Sequence, residues 1–192
     1  MPFYPTGYAP KEANSDYMKL TEGDHRVRIL AEPIIGFETW YEEAGQRKVK
    51  RYPTFEKAAA DPNADQIKEF NAFVVWDYAE EMVRLLNVTQ KAIQKGIYNL
   101  TQEEDWGDPR EYDIVIKRKG KTLNDTEYSV MPKPHKPTTD EIKEAFKQVR
   151  IVSSEYFSGG HPIERLNDGN DVVEDVKTSK SNSEDIADSI PF

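Results

Sequence analysis

Phe70-Asn71-Ala72-Phe73-Val74-Val75-Trp76-Asp77-Tyr78 decides the fold class. β-branched and aromatic residues fill it, and no Gly or Pro interrupts it, which is the composition of a strand. It is apolar at consecutive positions, so periodicity leaves its faces ambiguous. If Phe73 and Val75 face a core, Trp76 and Tyr78 face outward; a run apolar on both sides also leaves open that Trp76 is itself core. Met82 to Val88 is a second strand, separated only by Ala79, Glu80 and Glu81, so the two are expected to pair as a hairpin.

Upstream, Val27, Ile29 and Ala31 alternate with Arg26 and Arg28, the period of a half-buried strand. The run continues through Ile34, Ile35 and Phe37 to Trp40, and Pro33 and Gly36 predict a bend in it. Residues 41–69 are charged, with a short strand expected at Lys48–Tyr52 and a loop from Ala58 to Gln66. Downstream, Thr89 is placed to cap a helix reaching about Asn99, with Ile93, Ile97 and Leu100 on one face and Gly96 weakening it. Tyr112, Ile114 and Ile116 alternate into another strand. Thr126, Tyr128 and Val130 make the last, with turn residues Gly120 and Asn124-Asp125 between them.

Strand, strand, strand, helix, strand, strand is the element order of the OB-fold, a five-stranded partly open barrel with one helix between its third and fourth strands. The chain is therefore expected to be mainly β. Pro132, Pro134 and Pro137 form a stiff exit, and Thr138 with Glu141 has the spacing of a capping box. Ile142, Ala145, Phe146 and Val149 form the apolar stripe of an extra C-terminal helix, which must dock on the barrel or on another subunit. The organisation read from the sequence is an irregular arm over 1–18, a barrel domain with its C-terminal helix over 19–150, a linker over 151–166 and an acidic tail over 167–192. The tail is rich in Asp, Asn, Ser and Lys, lacks aromatics before Phe192, and is expected to be disordered.

The 192 residues carry a net charge of -9, and much of that charge lies in the tail, with Asp168, Asp171, Glu174, Asp175, Glu184, Asp185 and Asp188. Any nucleic-acid surface must then be a local patch. No Cys is present, which removes disulfides and thiolate metal sites, and His25, His135 and His161 lack metal-ligand spacing. No stretch approaches a membrane span and no signal pattern opens the chain, so a cytoplasmic protein is expected. The acidic runs Glu42-Glu43, Glu80-Glu81 and Glu103-Glu104-Asp105 read as solvated charge. No nucleophile elbow, phosphate loop or metal motif is found. A non-enzymatic protein without cofactor or metal is the expectation, with a metal-dependent nuclease the last alternative.

Basic and aromatic residues interleave in two segments. Trp40 and Tyr41, then Arg47, Lys48, Lys50, Arg51, Tyr52 and Phe55, suit a single-strand groove, in which cations follow phosphates and flat rings stack on bases. Lys117, Arg118, Lys119 and Lys121 form the second, alternatively read as a lysine-protected edge. In the barrel reading these segments lie in the two loops with which OB-folds hold oligonucleotides. Arg26, Arg28, Trp76, Tyr78 and Arg84 are candidates for the same surface.

Two stretches carry a family resemblance. Asp185-Ile186-Ala187-Asp188-Ser189-Ile190-Pro191-Phe192 resembles the tail tip of bacterial single-stranded DNA-binding proteins, with Ser189 a departure. That likeness implies that Ile190, Pro191 and Phe192 dock, with Asp185 and Asp188 beside them, in basic-rimmed apolar pockets of replication and repair proteins. Lys19-Leu20-Thr21-Glu22-Gly23-Asp24-His25-Arg26-Val27-Arg28-Ile29-Leu30, together with Phe73-Val74-Val75-Trp76 and Leu86-Asn87-Val88-Thr89-Gln90-Lys91-Ala92-Ile93, resembles the phage-encoded single-stranded DNA-binding proteins. It implies protection of single-stranded DNA, with little sequence preference, during replication, recombination and repair in a bacterial host cytoplasm. The residues leave a homo-oligomer open. They also leave open two rivals: a protein-interaction adaptor, and an OB module for RNA or duplex.

Overall fold

The computed structural model describes residues 16–122 and 125–166. The first fifteen residues of the expected arm and the whole of the expected tail lie outside these. The first two strands are β1 (Gly23–Ile29) and β2 (Ile34–Glu43), separate where the sequence predicts a single bent run, with residues 30–33 between them. β3 (Gln46–Tyr52) returns along β2 as a hairpin. A short helix, α1 (Phe55–Ala59), capped by Thr54, replaces the start of the expected loop.

The stretch that opened the sequence analysis becomes β4 (Lys68–Asp77), and it organises the sheet. One edge pairs with β5 (Met82–Val88). The other edge pairs first with β2, through Ile34–Glu38, and then with β1, through Val27–Ile29. β1 in turn pairs with β6 (Asp113–Lys119), and β6 with β7 (Glu127–Pro132). The result is a seven-stranded antiparallel sheet in the order β3-β2-β4-β1-β6-β7, with β5 also on β4. β5 and β7 do not pair, so the sheet is not closed. The short strand expected at Lys48–Tyr52 is present as β3, two residues longer, whereas the five-strand count took β1 and β2 as one, because a bent strand looks continuous in sequence.

Helix α2 (Lys91–Gln102) follows β5 and packs against β7. It starts one residue later than expected. Gln90 occupies the N-cap without a side-chain cap bond, so Thr89 is not the cap. Ile93, Ile97 and Leu100 enter an inner core with Val27, Ile29, Phe73, Val75, Leu86, Ile114 and Ile116. Gly96 is where the helix meets β7: a Cβ there would lie 2.8 and 2.9 Å from Val130 side-chain carbons.

The opposite face of β4 is buried as well. Phe70, Ala72, Val74 and Trp76 pack with Ile34, Val83 and Leu85 under a C-terminal layer that supplies Ile142, Val149, Tyr156 and Ile163. That layer is α3 (Asp140–Lys147), β8 (Val149–Ile151), α4 (Ser153–Phe157) and β9 (Ile163–Arg165). Two corrections follow. Residues 151–166 are packed structure and not a linker, with Tyr156 wholly buried edge-on to Phe70 at 5.5 Å. The cap of α3 is Thr139, which accepts from the Ile142 amide, in place of Thr138.

Gly96→Ala sets helix propensity against packing. The change favours an isolated helix by about 1 kcal/mol, but overpacking against Val130 costs about 1–3 kcal/mol. A lower urea midpoint is expected; a higher one would mean that β7 yields to the added methyl group.

Candidate nucleic-acid interface

Along β1, inward Val27 and Ile29 alternate with outward Arg26 and Arg28, so the guanidinium groups share the outer face with the side chains opposite them. On β6 those partners are Val115 for Arg26 and Asp113 for Arg28. Asp113 is buried and joins three strands. Its Oδ1 accepts from Arg28 Nε at 2.6 Å and from the Tyr78 hydroxyl at 3.0 Å, while Oδ2 accepts from Arg26 Nε at 2.9 Å and also from Arg26 Nη2. Burial pushes the Asp113 carboxyl up, but hydrogen bonds from Arg26 and Arg28 and the Arg28 charge outweigh it and hold the group below its ordinary value. Tyr78 is raised, first by burial and then by Asp113. The Arg26 guanidinium also lies 4.3 Å over the Tyr78 ring and stays half exposed.

From this hub the outer face continues to β7. Asp24, Lys117 and Ser129 lie in one cross-strand row, and Arg26, Val115 and Met131 in the next. Lys117 pairs with Asp24 at 3.3 Å. Lys119 and Lys133 form no ion pair among the described residues, although Glu127 stands opposite Lys119 in the β6–β7 ladder, and Met131 is 42% exposed nearby. Arg118 points to the other face and donates to the Leu20 carbonyl at 2.6 Å, so it leaves the basic row. Lys121 is exposed at the turn that follows Gly120. From Lys119 to Asp113 the strip is about 20 Å long at strand rise.

The β2–β3 hairpin splits the other basic segment between two faces, as a period of two requires. On one face lie Tyr41, Lys48, Lys50 and Tyr52. Lys48 pairs with Glu43, and Lys50 and Tyr52 both reach Asp61, at 2.6 and 2.5 Å. Hydrogen bonds from Lys50, Tyr52 and the Asn63 amide hold the Asp61 carboxyl far below the usual carboxylate range. Phe55 is exposed and meets Phe37 edge-on at 5.6 Å. On the opposite face Trp40 is 39% exposed, with the Arg47 guanidinium 5.1 Å above its ring. The expected single groove is therefore not assembled, because Arg47 and Lys48 cannot face the same way.

Several other candidates are internal. Trp76 does alternate away from Phe73 and Val75, yet it is only 4% exposed beneath the C-terminal layer. Arg51 lies buried 4.0 Å over the Tyr156 ring and 3.5 Å from Glu38. Arg28 is 1% exposed and Tyr52 is buried. Arg84 is held by Asp77 at 3.0 Å and by the Tyr17 carbonyl at 2.7 Å. Uncovering Trp76 would expose Ile142, Val149, Tyr156 and Ile163, each worth about 1.5–3 kcal/mol when buried, so this face stays closed. Sequence reasoning missed Met131 and Lys133; extending the Tyr128–Val130 alternation outward would have found them. The tail residues Asp185, Asp188, Ile190, Pro191 and Phe192 lie outside the described residues.

No protein-family model and no curated protein matches the chain. Among the described residues no group of three or more acidic or His side chains is arranged to hold a metal ion. No helix there is long and apolar enough to cross a membrane.

Asp113→Asn leaves Arg28 buried without its counter-charge, and a loss of about 3–5 kcal/mol in unfolding free energy is expected. Because the carboxyl is depressed in the folded state, its stabilisation is complete above about pH 4 and lost as pH falls through the folded value. Urea titrations from pH 7 to 2 should show a flatter acid limb in the variant; an unchanged limb would show that Asp113 does not drive acid unfolding.

Proposed function

We propose that this chain binds single-stranded DNA with little sequence preference, along the outer face of β1, β6 and β7, as a non-enzymatic protein of OB type akin to the phage-encoded single-stranded DNA-binding proteins. The observation that carries the reading is the cationic strip formed by Arg26, Lys117, Lys119 and Lys133, with Tyr78 and Met131 set among the cations. Cations with interspersed flat or soft apolar side chains are what a single strand's phosphates and bases need.

The architecture supports it. With β1 and β2 taken as one bent strand, the pairings of β1/β2 with β4, β4 with β5, β1 with β6 and β6 with β7 follow OB connectivity. The remaining gap, between β5 and β7, is the one the helix spans. β3 and α1 then elaborate the first binding loop, and the connection from β6 to β7 is the other. Trp40 with Arg47, on the β2–β3 hairpin, is a separate stacking position. The proposal for recruitment of replication and repair proteins rests on the tail sequence alone.

Binding of the full chain to oligo-dT, read by Trp fluorescence across a salt series with duplex and RNA as competitors, tests this. The affinity should fall with salt, with a slope of about -0.7 per phosphate contacted. Trp40→Ala should weaken binding by about 1–3 kcal/mol, and Lys119→Glu should lower both affinity and slope. Silence at low salt would overturn the proposal and favour the second reading, a protein-binding adaptor, for which the net charge of -9 speaks.

A further inference from the structure

The strip does not end at Asp113. Beyond it, where the chain leaves β7, a cleft of about 400 Å³ is lined by Arg28, Arg110, Glu111, His135, Lys136 and Thr138. Arg28 is wholly buried, fixed by Asp113 through Nε and by Thr138 Oγ1 at 3.2 Å through Nη1. Arg110 is clamped by Asp108, which fixes its guanidinium and takes up part of its charge. Lys136 is exposed and has no carboxylate partner among the described residues. Glu111 is the one acid on the lining, 3.6 Å from His135 Nδ1. With Arg28 and Arg110 paired to Asp113 and Asp108, Lys136 is the cation on the lining that has no ion pair among the described residues.

The same cleft has a flat wall. The His135 ring stacks on Trp106 with centroids 5.8 Å apart and planes 9° from parallel, and Tyr112 closes behind them. His135 Nε2 lies 3.1 Å from the Asp105 carbonyl, so one end of the ring is held, and 43% of the side chain is exposed. A ring fixed before a ligand arrives loses little freedom when a base stacks on it.

We infer that this cleft is a subsite for one nucleotide, with the base stacked on His135 and the phosphate met by Lys136 and the exposed edge of Arg110. It rests on the single-strand reading and deepens it: a strand lying along Lys119, Lys117 and Arg26 runs on into this pocket. The shared chemistry is a base joined to a phosphate, and a free nucleotide would meet it as well as a strand would.

NMR of the full chain, following the His135 ring and the Trp106 indole N–H, separates these cases with two probes, dTMP and (dT)15. Both probes should shift both signals. His135→Ala should weaken (dT)15 binding about tenfold, a stacking-sized loss, and His135→Phe should restore most of it. Lys136→Ala should lower the salt slope by about 0.7. If (dT)15 binds while both signals stay still, the subsite is overturned and the strip alone carries the strand. If dTMP moves them but (dT)15 binds no tighter than dTMP, the pocket is a free-nucleotide site and the strand path is overturned.

Discussion

β4 is apolar on both faces and paired along both edges, and the rest of the molecule follows from satisfying it. A strand of that kind has to lie between two layers, since either face left open would place large apolar side chains in water. The inner layer comes from α2 and the strands on either side. The outer layer has to come from elsewhere in the chain, and residues 142–163 supply it. The outer face of β4 is thereby used for folding and is not open to a ligand. Exposed chemistry moves to β6, β7 and the chain that leaves them.

The charges follow the same division. The chain is acidic overall, yet four of its acids are taken up by pairing inside the fold or at its edge: Asp113 by two arginines, Asp77 by Arg84, Glu38 by Arg51, and Asp61 by Lys50 and Tyr52. What remains outside is unevenly distributed, and Lys119, Lys133, Lys136 and Arg47 form no ion pair among the described residues. Net charge is then a poor guide to local potential, which depends on where the uncompensated groups sit.

Much of the fold was legible because it is local. Alternation gave β1, β6 and β7, an apolar β-branched and aromatic run gave β4, its short spacing to the next apolar run gave β5, and the i, i+4, i+7 spacing of Ile93, Ile97 and Leu100 gave α2. The split of Arg47 from Lys48 and Lys50 was equally available, since it follows from the period of a strand. What stayed hidden is non-local. Nothing near Arg28 announces a carboxylate 85 residues away. Nothing near Trp76 announces the layer that covers it, and α4 and β9 are too short to carry a period. The stack of His135 on Trp106 joins residues that look like loop and exit in the sequence.

Asp16 and Arg165, 149 positions apart, are joined by two hydrogen bonds, and the Tyr17 ring stands edge-on to His161 at 4.6 Å. On the ribosome this clasp sets an order of events. The strands through β7 can pair as they emerge, but the outer side of Phe70, Val74 and Trp76 stays bare until residues 142–163 have been synthesised. A nascent chain stalled near Pro137 would thus expose a flat apolar sheet, the kind of surface that chaperones hold and that aggregates when they do not.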